Sequence, residues 1–197
     1  MRETLCTRRR YGIRVLACVG LIACWLAAGV LPSVQAAPSA PPDAVGYASD
    51  AGTFQLQYPG TWSVGMQGRT TVTFSPETTD TRIAGFLLET VADTDASPAD
   101  DLQQALSDTM PAFTAISPVQ EVTVDNAAGV AVIVAITSPT PETQGVTYVG
   151  RLLVVRSPQA ALAGMGFTNY RIGIFAREGD TATLAQAEQV LASLRFL

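Results

Sequence analysis

The chain has 197 residues, carries 17 acidic and 12 basic side chains for a formal charge of −5, and contains no histidine. All of its basic residues are arginines, and its three cysteines, Cys6, Cys18 and Cys24, lie near the N-terminus. The absence of histidine excludes Ser-His-Asp and Cys-His catalysis, and the absence of lysine excludes a Schiff-base mechanism.

The N-terminal segment has the pattern of a secretory signal peptide. Five arginines precede an uncharged, apolar run over 15–31, and the small residues Val34 and Ala36 occupy the −3 and −1 positions of a cleavage site. This order of basic, apolar and small residues predicts a signal peptide over 1–36 and an exported, extracytoplasmic protein that is secreted, periplasmic or membrane-tethered.

The sequence leaves two other fates of this leader open. LIAC at 21–24 resembles a bacterial lipobox, which would make the chain a lipoprotein lipidated at Cys24. The apolar run of 15–31 also lies at the lower limit of what spans a bilayer, so an uncleaved anchor is the third interpretation. Membrane contact is then expected only through the leader or a lipid.

The exported part is more acidic than the whole chain. Removing residues 1–36 removes five arginines and one glutamate, which leaves seven basic and sixteen acidic residues and a formal charge near −9. It also removes every cysteine, so no disulfide is expected. A phosphate backbone requires a basic face, and therefore we predict no nucleic-acid partner.

Residues 37–45 are rich in proline and alanine, which predicts a linker, and the folded domain is placed at 46–197. Apolar and polar residues alternate in several segments of this domain, as in β-strands, and the alternation resumes at Trp62 after a break at Pro59-Gly60. The predicted strands are 53–58, 70–74, 83–91, 116–124, 129–137, 148–155 and 169–175.

Two of these segments, 129–137 and 148–155, are almost wholly apolar, which predicts central strands covered on both faces. The segment from Asp125 to Gly129 predicts a hairpin turn with its glycine at the end. Together with two predicted helices, this pattern indicates an α+β fold, a mostly antiparallel β-sheet with helices packed on its faces.

The first helix is predicted to begin after Ser97, which is a good N-cap, with Pro98 in its first turn. Its apolar stripe reaches Phe113. The second helix is predicted to begin after Asp180 and to continue through the C-terminal segment SLRFL, 193–197.

Three segments resemble a known superfamily. TFQLQYPGTWSV at 53–64 is similar to the opening of PsbP-like domains, VLASLRF at 190–196 resembles their closing helix, and VTVDNAAGVAVIVAI at 122–136 resembles their central hairpin, with Gly129 as its turn glycine. The resemblance covers about 45–197 and is to exported domains of the PsbP, DcrB and LpqN type. It implies an antiparallel sheet with helices on its faces and a role in assembly or binding without established enzyme activity.

The acidic stretch at 93–101 has the polar side chains of a calcium loop at its first, third and fifth positions, but Pro98 replaces the required glycine and Gln104 the required glutamate. We therefore interpret it as a solvated loop that precedes a helix, and we predict no metal, no cofactor and no catalytic residue. Arginines on the predicted strands either pair with nearby acids on the sheet surface or contact an anion or a partner, and the sequence leaves both interpretations open: Arg151, Arg156 and Arg171.

Aromatic and apolar residues supply the candidate ligand contacts. Tyr58 and Trp62 are interpreted as core residues, with Trp62 at a cavity rim as the alternative. A cavity between the first helix and the sheet would be lined by Leu106, Met110 and Phe113.

The prediction for function is a non-enzymatic binding or assembly module that acts on a protein complex at or outside the cytoplasmic membrane. The alternative is a carrier of a small apolar ligand or lipid, held in a cavity between helix and sheet.

Overall fold

The structure of the protein is a computed structural model, which describes residues 43–67, 70–76, 84–108, 113–137, 145–158 and 167–197. The described residues form eleven strands in two antiparallel sheets and two helices. The strands are β1 Ala44–Ala48, β2 Phe54–Pro59, β3 Trp62–Gln67, β4 Thr71–Pro76, β5 Gly85–Thr94, β6 Thr114–Ala115, β7 Gln120–Val124, β8 Ala127–Thr137, β9 Thr147–Arg156, β10 Phe167–Arg177 and β11 Arg195–Phe196; the helices are α1 Pro98–Asp108 and α2 Thr181–Ser193.

The larger sheet has the strand order β3-β4-β5-β10-β9-β8-β6, and β7 also pairs with β8 beside β6. The smaller sheet has the order β1-β2-β11. The chain passes from the smaller sheet to the larger one at Pro59-Gly60, where the Gly60 amide donates a hydrogen bond to the Asp43 carbonyl at 3.1 Å. β1 takes in Ala44 and Val45, the last two residues of the predicted linker.

Each face of the larger sheet carries its own apolar cluster. The α2-side core joins α2 and the smaller sheet to one face, and the α1-side core joins α1 to the other. Along β9, Leu153 and Val155 point into the α2-side core, whereas Leu152 and Val154 point into the α1-side core. This alternation confirms the prediction that the apolar segment 148–155 is a central strand covered on both faces.

Both helices begin at the predicted caps. Ser97 Oγ accepts a hydrogen bond from the Asp100 amide at 3.2 Å, and the Asp180 carboxylate accepts one from the Thr183 amide at 3.0 Å. This hydrogen bond is the main cause that lowers the pKa of Asp180 below its ordinary 3.8. α1 is described as far as Asp108, and the rest of the predicted apolar stripe up to residue 112 lies outside the described residues.

The predicted hairpin forms between β7 and β8, but the position of its turn glycine and the helical chain end were predicted wrongly. The hairpin turn consists of Asp125 and Asn126, both with positive φ (45° and 65°), as a two-residue type I′ turn requires. Gly129 lies in β8 instead, where a Cβ would come within 2.2 Å of the Val154 carbonyl oxygen, so the glycine permits close strand pairing. The C-terminal segment is also not helical. α2 ends at Ser193, and the strand that follows, β11, pairs with β2.

Candidate functional site

The residues predicted to line a ligand site are divided between the two faces of the larger sheet. Trp62 is 5% exposed and packs in the α2-side core. Leu106 and Phe113 are partly buried against the α1-side core, where the Phe113 ring stacks on another aromatic ring with centroids 5.6 Å apart. Met110 and Cys24 lie outside the described residues. The structure thus brings Leu106 and Phe113 into one cluster and separates them from Trp62.

A buried polar cluster joins the first turn of α1 to the larger sheet. Asp101 is 1% exposed, and its Oδ1 accepts hydrogen bonds from Arg171 Nε at 2.8 Å and from Arg171 Nη2. Its Oδ2 accepts one from Nδ2 of the fully buried Asn169 at 3.1 Å. Arg171 also donates to Glu89 Oε2 at 3.4 Å. The prediction of a solvated acidic loop is therefore wrong for Asp101.

The helical register explains this burial and was the signal in the sequence. Asp101 adjoins Leu102 and precedes Ala105 by one turn, and these two residues are the buried contacts of α1. A carboxylate on the apolar face of a helix needs a cationic partner when it is buried, and a sheet arginine supplies it here.

Two of the three arginines singled out in the sequence form ion pairs with acidic side chains. Burial alone would lower the pKa of Arg171, but the hydrogen bonds and charge of Asp101, with a smaller effect of Glu89, outweigh it and raise that pKa. Arg151 donates to Glu188 of α2 at 3.0 Å. Pairing with acids is thus confirmed for Arg151 and Arg171.

The third arginine, Arg156, has neutral partners. Its Nε donates to Asn169 Oδ1 at 3.2 Å, its Nη2 donates to the Ala96 carbonyl, and its guanidinium lies 4.2 Å from the centre of the Phe167 ring. Among the described residues it forms no ion pair with a carboxylate. Pairing with an acid is therefore wrong for Arg156: Asn169 lies between it and Asp101, and Asp101 pairs with Arg171.

Arg156 stands at an open groove of about 730 Å³ between the start of α1 and the β7–β8 hairpin. We call this the α1 groove. Its walls are mostly small or apolar, and Glu121 is the one acidic residue among them: Ser97, Pro98, Ala99, Glu121, Val122, Thr123, Ala128, Gly129, Val130 and Arg156. The predicted cavity residues Leu106 and Phe113 do not belong to this lining.

A second surface lies at the opposite edge of the larger sheet. β3 pairs with β4 on one side and, among the described residues, with no strand on the other. Val64 and Met66 are 39% and 55% exposed, and Met66 stands at a groove of about 580 Å³ whose walls include Tyr47, Phe54 and Val72. We call these five residues the β3 edge surface.

The aromatic wall of the groove beside β3 combines the Tyr47 phenol with the nearby carboxylate of Asp50. Burial and, secondly, the negative charge of Asp50 raise the pKa of the Tyr47 phenol above its ordinary 10.0. The phenol is therefore protonated at any pH near neutrality and offers a neutral hydroxyl beside apolar side chains.

The two edges of the larger sheet differ in their protection. At the far edge the pairing with β8 is divided between two short strands, β6 and β7, with Pro118 between them and Glu121 on β7. Breaks, prolines and charges of this kind prevent further strand pairing. β3 has six residues and carries neither a charge nor a proline.

Solved structures share this architecture. LpqN of Mycobacterium tuberculosis, described as involved in cell envelope biogenesis, matches with a TM-score of 0.51 at 13% identity, over 78% of this chain and 90% of LpqN. This chain shares the α+β fold of LpqN. The predicted α+β architecture and the resemblance to LpqN-type domains are thereby confirmed at the level of fold.

Two further solved structures are similar to this chain. A protein from Bacteroides thetaiotaomicron matches with a TM-score of 0.51 at 15% identity over 77% of this chain, which spans only 48% of that protein. Cyanobacterial PsbP from Synechocystis gives a TM-score of 0.46 at 10% identity, and the fold assignment does not depend on it. No family model and no curated protein sequence matches the chain. Among the described residues, no helix is both long and apolar enough to cross a membrane.

Proposed function

We propose that the protein is an exported, non-enzymatic accessory module that binds a protein partner at or outside the cytoplasmic membrane. The observation that carries this proposal is the β3 edge: an uncharged six-residue strand that pairs on one side only within the described residues, and that carries two exposed apolar side chains beside a groove walled by apolar, threonine and serine side chains and Asp50. Such an edge can receive one more strand from a partner, with backbone hydrogen bonds for affinity and side-chain pockets for specificity.

Two other observations support the extracytoplasmic part of the proposal. The pattern of residues 1–36 predicts a leader of the secretory type, and LpqN, which shares the fold, is involved in cell envelope biogenesis. The non-enzymatic part of the proposal is supported by the structural role of the buried charged side chains. Asp101 and Arg171, the most buried ion pair of the domain's described part, neutralise each other and hold α1 on the sheet.

Photo-cross-linking from the β3 edge tests the proposal. A photoreactive amino acid is introduced at Met66 of the full chain in its native cells, and at Ile133 in a matched control. Ile133 is 43% exposed on β8 of the same sheet but lies away from the β3 edge. We expect a discrete protein adduct from Met66 and none from Ile133.

A charge variant supplies the second measurement. Val64→Lys with Met66→Lys places two charges on the edge strand without changing a buried residue, so the fold is expected to persist and circular dichroism checks this. Co-purification of the partner should fall at least about tenfold, as expected for lost apolar contacts and added charge. An adduct from Ile133 alone, or unchanged co-purification by the folded double variant, would refute the proposal.

A further inference from the structure

We infer that the α1 groove is a binding site for a single-chain amphiphile with a carboxylate head, such as a long-chain fatty acid, and that Arg156 binds the carboxylate. The site is on the opposite face and near the opposite edge of the larger sheet from the β3 edge surface, and it does not depend on the proposed protein partner.

The cation is the first part of the argument. Arg156 Nε and Nη2 are directed to an amide oxygen and to a backbone carbonyl, and the ring of Phe167 covers one side of the guanidinium. These contacts fix the side chain while leaving its charge without a carboxylate partner in the described part of the chain. A fixed, half-buried guanidinium beside an open groove is suited to a planar carboxylate.

The walls of the groove define the rest of the ligand. Pro98, Ala99 and Val130 present carbon atoms, and the small residue Ala128 leaves room between them. The volume of about 730 Å³ lies within the range of small-molecule sites. An apolar tail is therefore the complement to these walls.

Charge limits the head group to a monoanion. Glu121 also lines the groove, so the groove as a whole carries one positive and one negative side chain. The acidic balance of the chain, −5 overall, opposes a second negative charge on the ligand as well. A carboxylate meets this condition, whereas a phosphate monoester near neutral pH carries more charge.

The test compares two probes of equal tail and unequal charge. A cell extract containing the tagged full chain is titrated with a photoactivatable, alkyne-bearing hexadecanoic acid or with the corresponding hexadecanol. Mass spectrometry of the captured chain locates the adducts, which separates labelling of the groove from labelling of the apolar leader. We expect the acid to label the peptides around 97–99 and 121–130 at a concentration about tenfold lower than the alcohol does, as one charge-assisted hydrogen bond predicts.

Variants assign the effect to named residues. Arg156→Gln should remove the preference for the acid, and Arg156→Lys should retain part of it because the charge remains. Arg177→Gln removes an exposed arginine from the neighbouring strand, β10, and should change nothing. Ala128→Trp, at an exposed position of the groove, should block both probes without disturbing Arg156.

Equal labelling by acid and alcohol would overturn the inference, as would labelling that persists in Ala128→Trp. Thermal unfolding of each variant identifies a loss of fold. Should Arg156→Gln fail to fold, Ala128→Trp and the comparison of acid with alcohol on the unaltered chain still decide the question.

Discussion

Removing the Asp101 carboxylate is expected to destabilise the domain more than any surface change. Asp101→Ala abolishes two hydrogen bonds from Arg171 and one from Asn169. Arg171, whose side chain is only 18% exposed, would then keep one acidic partner within the described part of the chain, Glu89 at 3.4 Å. Loss of one partner from a buried ion pair costs about 3–5 kcal/mol, because the remaining charge is left without compensation. For a domain of this size the melting temperature should fall by about 10 °C.

A double variant distinguishes this reasoning from simple loss of packing. Asp101→Leu with Arg171→Met removes both charges and keeps apolar volume, and Asn169 retains its bond to the Ala96 carbonyl at 3.1 Å. The double variant should therefore be more stable than either single truncation, by at least about 1–2 kcal/mol. Urea unfolding followed by circular dichroism measures all of these free energies.

The neighbouring acid is the matched control. Asp100 is exposed and accepts a hydrogen bond from the Ser97 hydroxyl at 2.6 Å, so Asp100→Ala removes the same charge from the same turn at a cost of about 1 kcal/mol or less. Equal costs at the two positions, or single-variant costs that simply add in the double variant, would refute a buried, coupled pair.

Two other predictions concern a helix cap and a glycine. Asp180→Ala should lower the free energy of unfolding by about 1 kcal/mol at pH 7, whereas Asp180→Asn should be nearly neutral since asparagine also caps. Because folding lowers the pKa of Asp180 below 3.8, the contribution of its carboxylate to stability is present above that value and disappears as the pH falls through the folded pKa. The unaltered chain should therefore lose stability relative to Asp180→Asn below about pH 4 in acid-unfolding curves. Gly150→Ala should lower the free energy of unfolding in urea by at least about 2 kcal/mol, since its Cβ would lie 1.8 Å from the Ile174 carbonyl oxygen. Gly46→Ala, with open space around its Cβ, should change that free energy by no more than about 0.5 kcal/mol. Similar effects of the two substitutions would contradict the close strand spacing at Gly150.

Local patterns in the sequence were sufficient to predict most elements of the fold. Ser97 and Asp180 marked helix starts because a cap acts within one turn. The apolar run at 148–155 marked β9 because a strand covered on both faces shows no alternation. The helix caps and the apolar segment each depend on residues only a few positions away in the sequence. A single sequence is therefore enough to predict these elements.

Sheet partnership could not be predicted in the same way. The segments that became β2 and β3 alternate alike on either side of Pro59-Gly60, yet β2 joins the smaller sheet and β3 becomes an edge of the larger one. Alternation records which face is buried and contains no information on which strand is the neighbour. β11 has two residues, too few to show an alternating pattern. Its partner, β2, lies near the other end of the domain sequence.

The candidate sites depended on contacts even more distant in sequence. Asp101 and Arg171 lie 70 residues apart. Arg156 is distinguished from them in three dimensions, because no carboxylate of the described segments pairs with it. Sequence alone assigned Arg156 and Arg171 the same role. Only packing separates an arginine whose charge is neutralised from one whose charge remains available.

The spacing of the two proposed surfaces makes their tests independent. Five strand intervals separate β3 from β8, a distance of about 24 Å at the usual spacing of neighbouring strands. Sites this far apart without shared contacts are expected to respond independently to substitution. Charges at Val64 and Met66 should therefore leave fatty-acid labelling unchanged, and Arg156→Gln should leave the protein adduct at Met66 unchanged. Loss of both activities from either variant would instead mean that ligand and partner use one site, and the separation of an assembly surface from a carrier groove would then be wrong.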